Sequence, residues 1–462
     1  MFIDAPPAAI SGSSRVPPML VQGDAKRRRR GAAQALFAPG TPTAAALDPV
    51  TNLPNRQRFI NDYATTSAAQ GDLCMVTVAD AQHFNGILRA LGHEYADDFV
   101  RAAANRIRAN IPDTITLYHV SVLSIAFVLP REGEEIAAGL ARCFSEPLDC
   151  AGIPIHTAAG IGLAAFSEDV PATLRAALTA AQDSRRWEHG WSRYNLQTDR
   201  AHLRGFMLLT DLPAALAAQD QLELAYQPKL DLRSGACCGA EALLRWHHPR
   251  FGAVSPGEFI PLVESTALIA PLTEWVLHRA TAQAARWAAL DQPLNMAVNI
   301  SPVLLRDAGF VEGIIGEQRR CGLDPARLEL EFTEGMLTPN DPRTLGAIRT
   351  LRDAGMQVAL DDFGTGFSNF SYLAYLPATI LKIDQSFMRS LQAPASALLV
   401  RSIIQLAHEL DYRVVAEGIE DEAVLTMLRG WGCDEGQGYH ISRPLFAEPF
   451  EQWRHAAAAP RV

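Results

Sequence analysis

The sequence predicts an α/β protein in which a smaller α/β sandwich is followed by a TIM-type (β/α) barrel. Two observations support this prediction. First, 462 residues are too many for one ordinary core but suit a barrel-sized domain with a smaller companion. Second, short apolar runs alternate with stretches of helical period, and in the second half of the chain such runs repeatedly end in an acid or an amide.

The composition, with 48% hydrophobic and 20% charged residues, is close to the average of globular proteins. The formal net charge of −10 argues against nucleic acid as the main partner, because contact with a phosphate backbone requires a basic surface. The sequence shows no run of roughly 18 apolar residues, no secretory signal, and seven scattered cysteines without a C-x-x-C pair. We therefore expect a cytoplasmic protein with no membrane span and no DNA partner.

Residues 1–40 are predicted to form a disordered tail. They are rich in Ala, Pro, Gly and Ser and show no apolar periodicity, so they cannot bury enough surface to offset the entropy lost on ordering. The tail contains the basic run Lys26-Arg27-Arg28-Arg29-Arg30. We interpret this run as solvated charge, although docking on an anionic membrane or on nucleic acid remains open.

Residues 41–197 are predicted to form the α/β sandwich. The pattern indicates a strand at Leu73–Ala79, a helix at Glu94–Ile107 and two strands between Thr116 and Leu129. The polar segment Leu196–Arg204 then leads to the next domain, either as a linker or as a connecting helix.

Residues 205–455 show the pattern of a parallel barrel, in which strand, polar residue and helix repeat. A helical face lies between two of the strands, at Leu272, Val276 and Ala280. One acid after one strand is more simply a surface residue or a helix N-cap, but a repeated pattern indicates a common site, because the strand ends of a barrel meet at one mouth. The runs are Met296–Asn299, Leu328–Glu331, Val358–Asp362, Ile380–Asp384 and Val414–Glu417.

Carboxylates and one amide are predicted to line this mouth, where unpaired acids would repel one another. Mg²⁺ or Mn²⁺ would relieve the repulsion, since both prefer oxygen ligands, and a pair of such ions is the usual arrangement for phosphodiester hydrolysis. Zinc is disfavoured because no His or Cys cluster accompanies the acids. Lys382 could hold or deprotonate the attacking water. The predicted donors are Glu241, Asn299, Glu331, Asp361, Asp362 and Glu417.

A glycine-containing loop, Phe363-Gly364-Thr365-Gly366-Phe367-Ser368, follows the two adjacent acids. It lacks the spacing and the lysine of a phosphate-binding loop. We interpret it as a mobile or dimer-coupled loop, with a plain β-turn as the alternative. Glu334 is well placed to anchor it.

The motifs of the C-terminal half resemble, in order, those of the EAL family of cyclic di-GMP phosphodiesterases. The resemblance implies a TIM-type barrel that hydrolyses cyclic di-GMP to linear pGpG with two Mg²⁺ or Mn²⁺ ions, and it makes a homodimer plausible. Asn369-Phe370 departs from the usual sequence of the loop. The matching motifs are Tyr226-Gln227-Pro228, Glu241-Ala242-Leu243-Leu244-Arg245-Trp246, Asn299-Ile300-Ser301, Glu331-Phe332-Thr333-Glu334, Asp361-Asp362-Phe363-Gly364-Thr365-Gly366, Leu381-Lys382-Ile383-Asp384, Ala416-Glu417-Gly418-Ile419-Glu420 and Gln437-Gly438-Tyr439.

The resemblance also implies a role for each site residue. A module that captures cyclic di-GMP or a protein partner without hydrolysis is the alternative, but family members of that kind typically lack metal ligands or the lysine, and this chain has both. The first ion would be bound by Glu241, Asn299, Glu331 and Asp361, and the second by Asp361, Asp362 and Glu417. Lys382 would act on the water, Glu420 and Gln437 would order the network, Gln227 and Arg245 would contact the ligand, and Glu334 would brace the loop.

The N-terminal half resembles the GGDEF diguanylate cyclase domain in its skeleton. Asp48–Arg56 resembles the opening motif, and Gly92-His93 follows Asp80 at the expected spacing. The position of the signature is occupied by Ser121-Val122-Leu123-Ser124-Ile125, which lacks the glycines that admit a nucleotide and the acids that hold a metal. We therefore predict a structural or dimerising domain without cyclase activity, with GTP binding as an activating signal as the alternative.

Overall fold

The computed structural model of the chain describes residues 46–64, 71–129, 133–186, 190–290, 293–334, 341–364 and 373–458. The predicted tail with Lys26–Arg30 lies outside these ranges, as do residues 365–368 of the predicted loop and the following residues 369–372. The chain divides into two compact units, of which the first ends at Asp199 and the second begins at Arg200. None of the helices in the described ranges is both long and apolar enough to cross a membrane.

The first unit is an α/β sandwich built on a five-stranded sheet in the order β2-β3-β1-β6-β7. Its central strand β1 pairs antiparallel with β3 and with β6. The strands are β1 (Asp72–Thr77), β2 (Tyr118–Ser121), β3 (Ser124–Leu129), β4 (Leu148–Cys150), β5 (Ile153–Ile155), β6 (Gly160–Ala165) and β7 (Trp191–Arg193). The helices are α1 (Arg56–Tyr63), α2 (Ala81–Leu91), α3 (His93–Ala109), α4 (Glu134–Cys143) and α5 (Val170–Asp183).

Strand β1 is buried on both faces, which explains why its sequence is almost continuously apolar. Because side chains alternate along a strand, Cys74 and Val76 share a core with α3 and α4, while Leu73 and Met75 share the opposite core with α5 and α1. The predicted strand, helix and strand pair of this domain are confirmed, and so is the α/β sandwich.

The second unit is a closed barrel whose strands follow the order β9-β11-β12-β13-β14-β15-β16-β8, with β8 pairing back to β9. The predicted TIM-type barrel is therefore confirmed. The strands of this unit are β8 (Leu222–Asp231), β9 (Cys237–His248), β10 (Gly252–Val254), β11 (Asn295–Asn299), β12 (Leu328–Thr333), β13 (Gln357–Phe363), β14 (Ile380–Ile383), β15 (Arg413–Ala416) and β16 (Glu435–Gly436). Helix α6 (Leu196–Ala217) begins in the first unit and continues into the second. The other helices of the second unit are α7 (Pro256–Glu264), α8 (Ile269–Ala289), α9 (Ala308–Cys321), α10 (Pro342–Asp353), α11 (Gln385–Arg389), α12 (Pro394–Glu409), α13 (Glu422–Gly430) and α14 (Ala447–Ala458).

One strand of the barrel differs from the all-parallel pattern that the sequence predicted. Strand β8 runs antiparallel to both of its neighbours, β9 and β16. The reason is local, because β8 and β9 are joined by a tight hairpin, and consecutive strands without a crossover helix can pair only in antiparallel fashion. The polar segment that follows Leu196 is a connecting helix, since it forms the start of α6.

The outward faces of the barrel strands pack against the surrounding helices. Val298, Leu330 and Leu360 belong to one large core that also contains Leu272 and Val276 of α8. The inward faces are different, because several fully buried inward side chains are charged, including Lys229 and Lys382. The barrel therefore encloses a charged interior, in which buried charges are stable only when they are paired with opposite charges or with a metal ion.

Candidate active site

The predicted polar residues converge where the parallel strands of the barrel end. Asn299 at the end of β11 lies level with Glu331 of β12, and Gln227 of β8 lies opposite Glu241 of β9. Parallel strands present their carboxyl ends at one mouth, so residues far apart in sequence meet there.

Lys382 lies at the centre of this mouth, with its ammonium surrounded by carboxylates. Its Nζ is 2.7 Å from Glu417 Oε1, 2.9 Å from Glu331 Oε2 and 3.0 Å from Asp361 Oδ1. Burial by itself would lower the pKa of Lys382, but the charges of these acids and of Glu241 outweigh it and raise the pKa well above the usual value. Lys382 is therefore a cation at neutral pH.

Glu241 is held by two amide groups. Asn299 Nδ2 donates to its Oε1 at 2.8 Å, and Gln437 Nε2 donates to its Oε2 at 2.6 Å. Gln437 Nε2 also lies 3.1 Å from Gln227 Oε1, and Gln227 in turn donates to the Ser442 carbonyl at 3.2 Å. Burial would raise the pKa of Glu241, but Lys382 and the two amides lower it, so Glu241 remains ionised.

Three acids of the mouth, Glu331, Glu417 and Asp362, behave in the opposite way. Burial, together with neighbouring carboxylates, raises the pKa of Glu331 well above its usual value, although Lys382 opposes the shift. Burial, Asp361 and Glu241 raise the pKa of Glu417 to about 8, again against Lys382. Burial and Asp361 also raise the pKa of Asp362. The mouth thus contains more negative charge than Lys382 balances, which is the condition that a bound cation relieves.

The adjacent acids Asp361 and Asp362 both face the mouth because the strand is irregular at this point. The pairing of β13 with β14 shifts register between Leu360 and Phe363, and Asp362 has a left-handed backbone with φ of +55°. The Asp362 N–H donates to Asp361 Oδ1 at 2.9 Å. Asp361, Asp362 and Glu417 each offer an oxygen within 4.8 Å of the others. A regular strand would point consecutive side chains to opposite faces, so this bulge brings the two acids together.

The donors gathered at the mouth are carboxylate and amide oxygens, a set that suits hard divalent cations such as Mg²⁺ or Mn²⁺. Asp361 is central in this set, since it contacts Lys382 on one side and belongs to the trio with Asp362 and Glu417 on the other. The residues at the mouth therefore fit a site for divalent cations, with Asp361 as a central donor.

Glu334 contacts the start of the glycine-containing loop. Its Oε2 accepts a hydrogen bond from the Gly364 N–H at 2.8 Å. Gly364 has a φ of +96°, and a Cβ atom at this position would lie 2.4 Å from the ring of Phe387, so no other residue fits without strain. Glu334 thereby fixes the backbone two residues after Asp362.

Two predicted ligand and network residues lie at the rim. Arg245 is half-buried on β9, four residues after Glu241 and hence on the same face of the strand, and its guanidinium donates to the Leu244 carbonyl at 2.8 Å. Glu420 is exposed, and its Oε1 lies 3.9 Å from Arg389 Nε. The structure therefore places Glu420 at the rim and not in the carboxylate cluster.

Asp384, the acid after β14, does not join the site. It is the N-cap of α11, where its carboxylate accepts a hydrogen bond from the Ser386 N–H at 2.9 Å.

The sequence interpretation missed a second buried ion pair directly below the mouth. Lys229 Nζ lies 2.7 Å from Glu329 Oε2, and both side chains are fully buried. The signal was present in the alternation of the strands, because Glu329 precedes Glu331 by two residues and Lys229 follows Gln227 by two. Each therefore shares the inward face of its strand with a residue of the site.

In the first unit, the residues at the signature position form a plain hairpin. Ser121 ends β2 and pairs with Ser124 at the start of β3, and Val122 at the tip is exposed. Asp80 is the N-cap of α2, where its carboxylate accepts from the His83 N–H at 2.7 Å. The hairpin thus presents side chains of Ser, Val and Leu in place of glycines and acids.

Two family models match the chain, the EAL domain over residues 210–444 and the diguanylate cyclase GGDEF domain over residues 45–186. A cyclic di-GMP phosphodiesterase of Pseudomonas aeruginosa is 41% identical over 418 residues, which cover 88% of this chain and 71% of that protein. Seven further curated relatives are 30–34% identical, and the chain spans only 49–63% of their lengths.

Solved structures show the same folds. The PaMucR phosphodiesterase in complex with c-di-GMP is 40% identical, covers 53% of this chain with 99% of its own, and superposes with a TM-score of 0.50. An S helix-GGDEF-EAL segment of LapD from Vibrio cholerae, bound to c-di-GMP, covers 86% of this chain with 96% of its own at a TM-score of 0.54. At 18% identity the second similarity concerns the fold alone.

Proposed function

Because the chain belongs to the EAL family and also carries a GGDEF domain, we propose that its second unit hydrolyses cyclic di-GMP to linear pGpG with two Mg²⁺ or Mn²⁺ ions. The main support is the meeting of carboxylate and amide oxygens around Lys382 at one mouth of the barrel. The names of the relatives support the choice of substrate, since a relative that is 41% identical over 418 residues is a cyclic di-GMP phosphodiesterase. We assign this activity to residues 205–455 and the companion domain to residues 41–197.

The predicted ligands would divide between two ions according to their contacts. Glu241 and Asn299 contact each other, and together with Glu331 and Asp361 they would hold the first ion. Asp361 would also serve the second ion with Asp362 and Glu417, the trio whose oxygens lie within 4.8 Å of one another. Bound there, the ions would stabilise negative charge on the attacking and leaving oxygens of the phosphodiester.

Lys382 would hold the attacking water as a hydrogen-bond donor. Its raised pKa favours this role over that of a general base, because a base would have to be neutral at the start of the reaction. The contacts to Glu331, Asp361 and Glu417 fix the ammonium on three sides, so its position is set before the substrate arrives.

The amides and the cation of the rim would orient the substrate. Gln437 donates hydrogen bonds to both Glu241 and Gln227. A ligand that contacts Gln227 would therefore be connected to the metal ligand Glu241 through one side chain. Arg245 supplies a positive charge for phosphate despite the net charge of −10. Glu420, on the same rim, would order the network from outside the carboxylate cluster.

For the first unit we propose a structural or dimerising role without cyclase activity, with the chain acting as a homodimer. The hairpin at Ser121–Ser124 and the engagement of Asp80 as a helix cap support the loss of cyclase chemistry. GTP binding as an activating signal is the alternative. All seven cysteines are free thiols, which supports a cytoplasmic location.

The test is product analysis with the full chain. We expect cyclic di-GMP and Mg²⁺ to give pGpG, detected by chromatography, with the reaction stopped by EDTA and restored by excess Mg²⁺. Binding of cyclic di-GMP without any product, at every Mg²⁺ or Mn²⁺ concentration, would contradict the proposal and establish the non-hydrolytic receptor instead.

Glu334 offers a prediction about the loop. Replacing Glu334 with Ala removes the acceptor of the Gly364 N–H, and we expect kcat to fall roughly 10- to 100-fold, which corresponds to one charge-assisted hydrogen bond. Glu334→Gln keeps one acceptor oxygen and should lose less than about tenfold. Steady-state kinetics of pGpG formation check both variants. Equal losses in the two would show that the charge of Glu334 matters and not the contact with Gly364.

A further inference from the structure

The barrel interior contains a second set of acids beneath the mouth, which we call the lower acid layer and which consists of Glu329 and Glu435. Both side chains are buried, with exposures of 0% and 5%. Lys229 is fully buried beside them, 2.7 Å from Glu329 Oε2. Glu435 is also paired from outside, since Arg413 Nη1 lies 3.5 Å from its Oε1.

Glu331 connects this layer to the mouth. Its Oε2 lies 2.9 Å from Lys382 above, and its Oε1 lies 4.0 Å from Lys229 below. Glu329 lies two residues before Glu331 on the same face of β12, which places the two carboxylates about 6–7 Å apart along the strand. The acids of the mouth and of the lower layer therefore form one continuous column of acidic side chains, with Lys382 against its upper part and Lys229 against its lower part.

Such a column creates a problem for a metal-dependent site. Carboxylates in a low-dielectric interior attract a divalent ion strongly, and the attraction does not distinguish the upper end of the column from the lower. An ion drawn toward Glu329 would share Glu331 but would lie one strand layer away from Asn299 and Asp361. It would then be misplaced for chemistry at the mouth.

We propose that Lys229 is the fixed counter-ion of the lower acid layer and confines divalent ions to the mouth of the barrel. A lysine suits this role because it supplies a positive charge that cannot diffuse away and offers no oxygen to a metal. The inference rests on the proposed metal-dependent function, and it makes Lys229 a positioning residue that acts through Glu331.

The test is a Mn²⁺ titration of the full chain by isothermal calorimetry, with melting temperatures measured in EDTA and in Mn²⁺. The variant is Lys229→Gln, which keeps a hydrogen-bond donor for Glu329 but removes the charge. We expect it to bind one more Mn²⁺ per chain than the wild type, and Mn²⁺ to raise its melting temperature by about 5–10 °C more than that of the wild type.

Two matched variants separate this role from a merely structural one. Lys229→Arg keeps the charge and should retain the wild-type number of ions. The double variant Lys229→Met/Glu329→Met removes the cation and the acid together, and it should also return to the wild-type number. If Lys229→Gln is unfolded in EDTA, Mn²⁺ should refold it, as followed by circular dichroism.

The inference is overturned if Lys229→Gln binds the same number of ions as the wild type with the same thermal response, or if Mn²⁺ fails to refold an unfolded variant. This failure is distinct from a failure of the proposed function. The inference depends on the difference between variant and wild type in ion binding, whereas the function depends on the formation of pGpG by the wild type.

Discussion

Replacing Glu241 with Gln is expected to lower the rate of cyclic di-GMP hydrolysis by at least about 10²–10³-fold, the loss typical of removing one electrostatic contact from an active site. Both oxygens of Glu241 accept amide N–H groups, from Asn299 and from Gln437. The amide of a glutamine would turn its own NH₂ toward one of these donors, so the substitution removes the charge and disturbs one of the two contacts. Rates of pGpG formation at saturating Mg²⁺ measure the effect.

The control for this prediction is Glu312→Gln, which makes the same chemical change on the exposed surface of α9. It should leave the rate unchanged. Circular dichroism of both variants shows whether the fold is retained. A Glu241→Gln protein that is folded and fully active would remove Glu241 from the metal site and leave the proposed two-ion arrangement without its ligand on β9.

Replacing Lys382 with Ala is expected to lower kcat by about 10²–10⁴-fold, the range for a residue that acts on a proton or on the attacking water. The dissociation constant for cyclic di-GMP should change much less, because Lys382 contacts Glu331, Asp361 and Glu417 and is fully buried. Single-turnover rates and equilibrium binding separate the two quantities.

Lys382→Ala should also make the protein depend on metal for its stability. The substitution leaves the buried carboxylates of Glu331 and Asp361 and the half-buried one of Glu417 without their shared cation, and an uncompensated buried charge typically costs about 3–5 kcal/mol. We expect the melting temperature in EDTA to fall and Mg²⁺ to restore part of it. Equal losses in kcat and in affinity for cyclic di-GMP would contradict the proposal that Lys382 holds the attacking water.

Much of the barrel and of its site could be predicted from strand periodicity. Asn299, Glu331 and Glu417 each follow an apolar run, and the structure brings them to one mouth. Asp384 follows the same pattern but is a helix cap. The sequence could not distinguish these cases, because an acid that ends a strand and an acid that begins a helix occupy the same position in a strand-helix repeat.

Other features could not be predicted because they depend on contacts across the barrel. Lys229 and Glu329 lie on strands that are far apart in sequence, and no local pattern states which inward side chains face each other. Asp362 reaches the mouth only through the left-handed backbone and the register shift in β13. A regular strand would have been expected to point Asp361 and Asp362 in opposite directions.

The hairpin between β8 and β9 has a consequence for the mouth, although the turn lies at the opposite end of the barrel. Asp231 accepts from the Ser234 N–H at 2.7 Å, and Gly235 takes a φ of +73°, so the turn has a defined length. That length determines which residue of β8 stands opposite Glu241. Inserting or deleting one residue here would slip the pairing by one step and rotate Gln227 to the outer face of the wall. The position of Gln227 at the rim therefore depends on the length of a turn at the other end of the barrel.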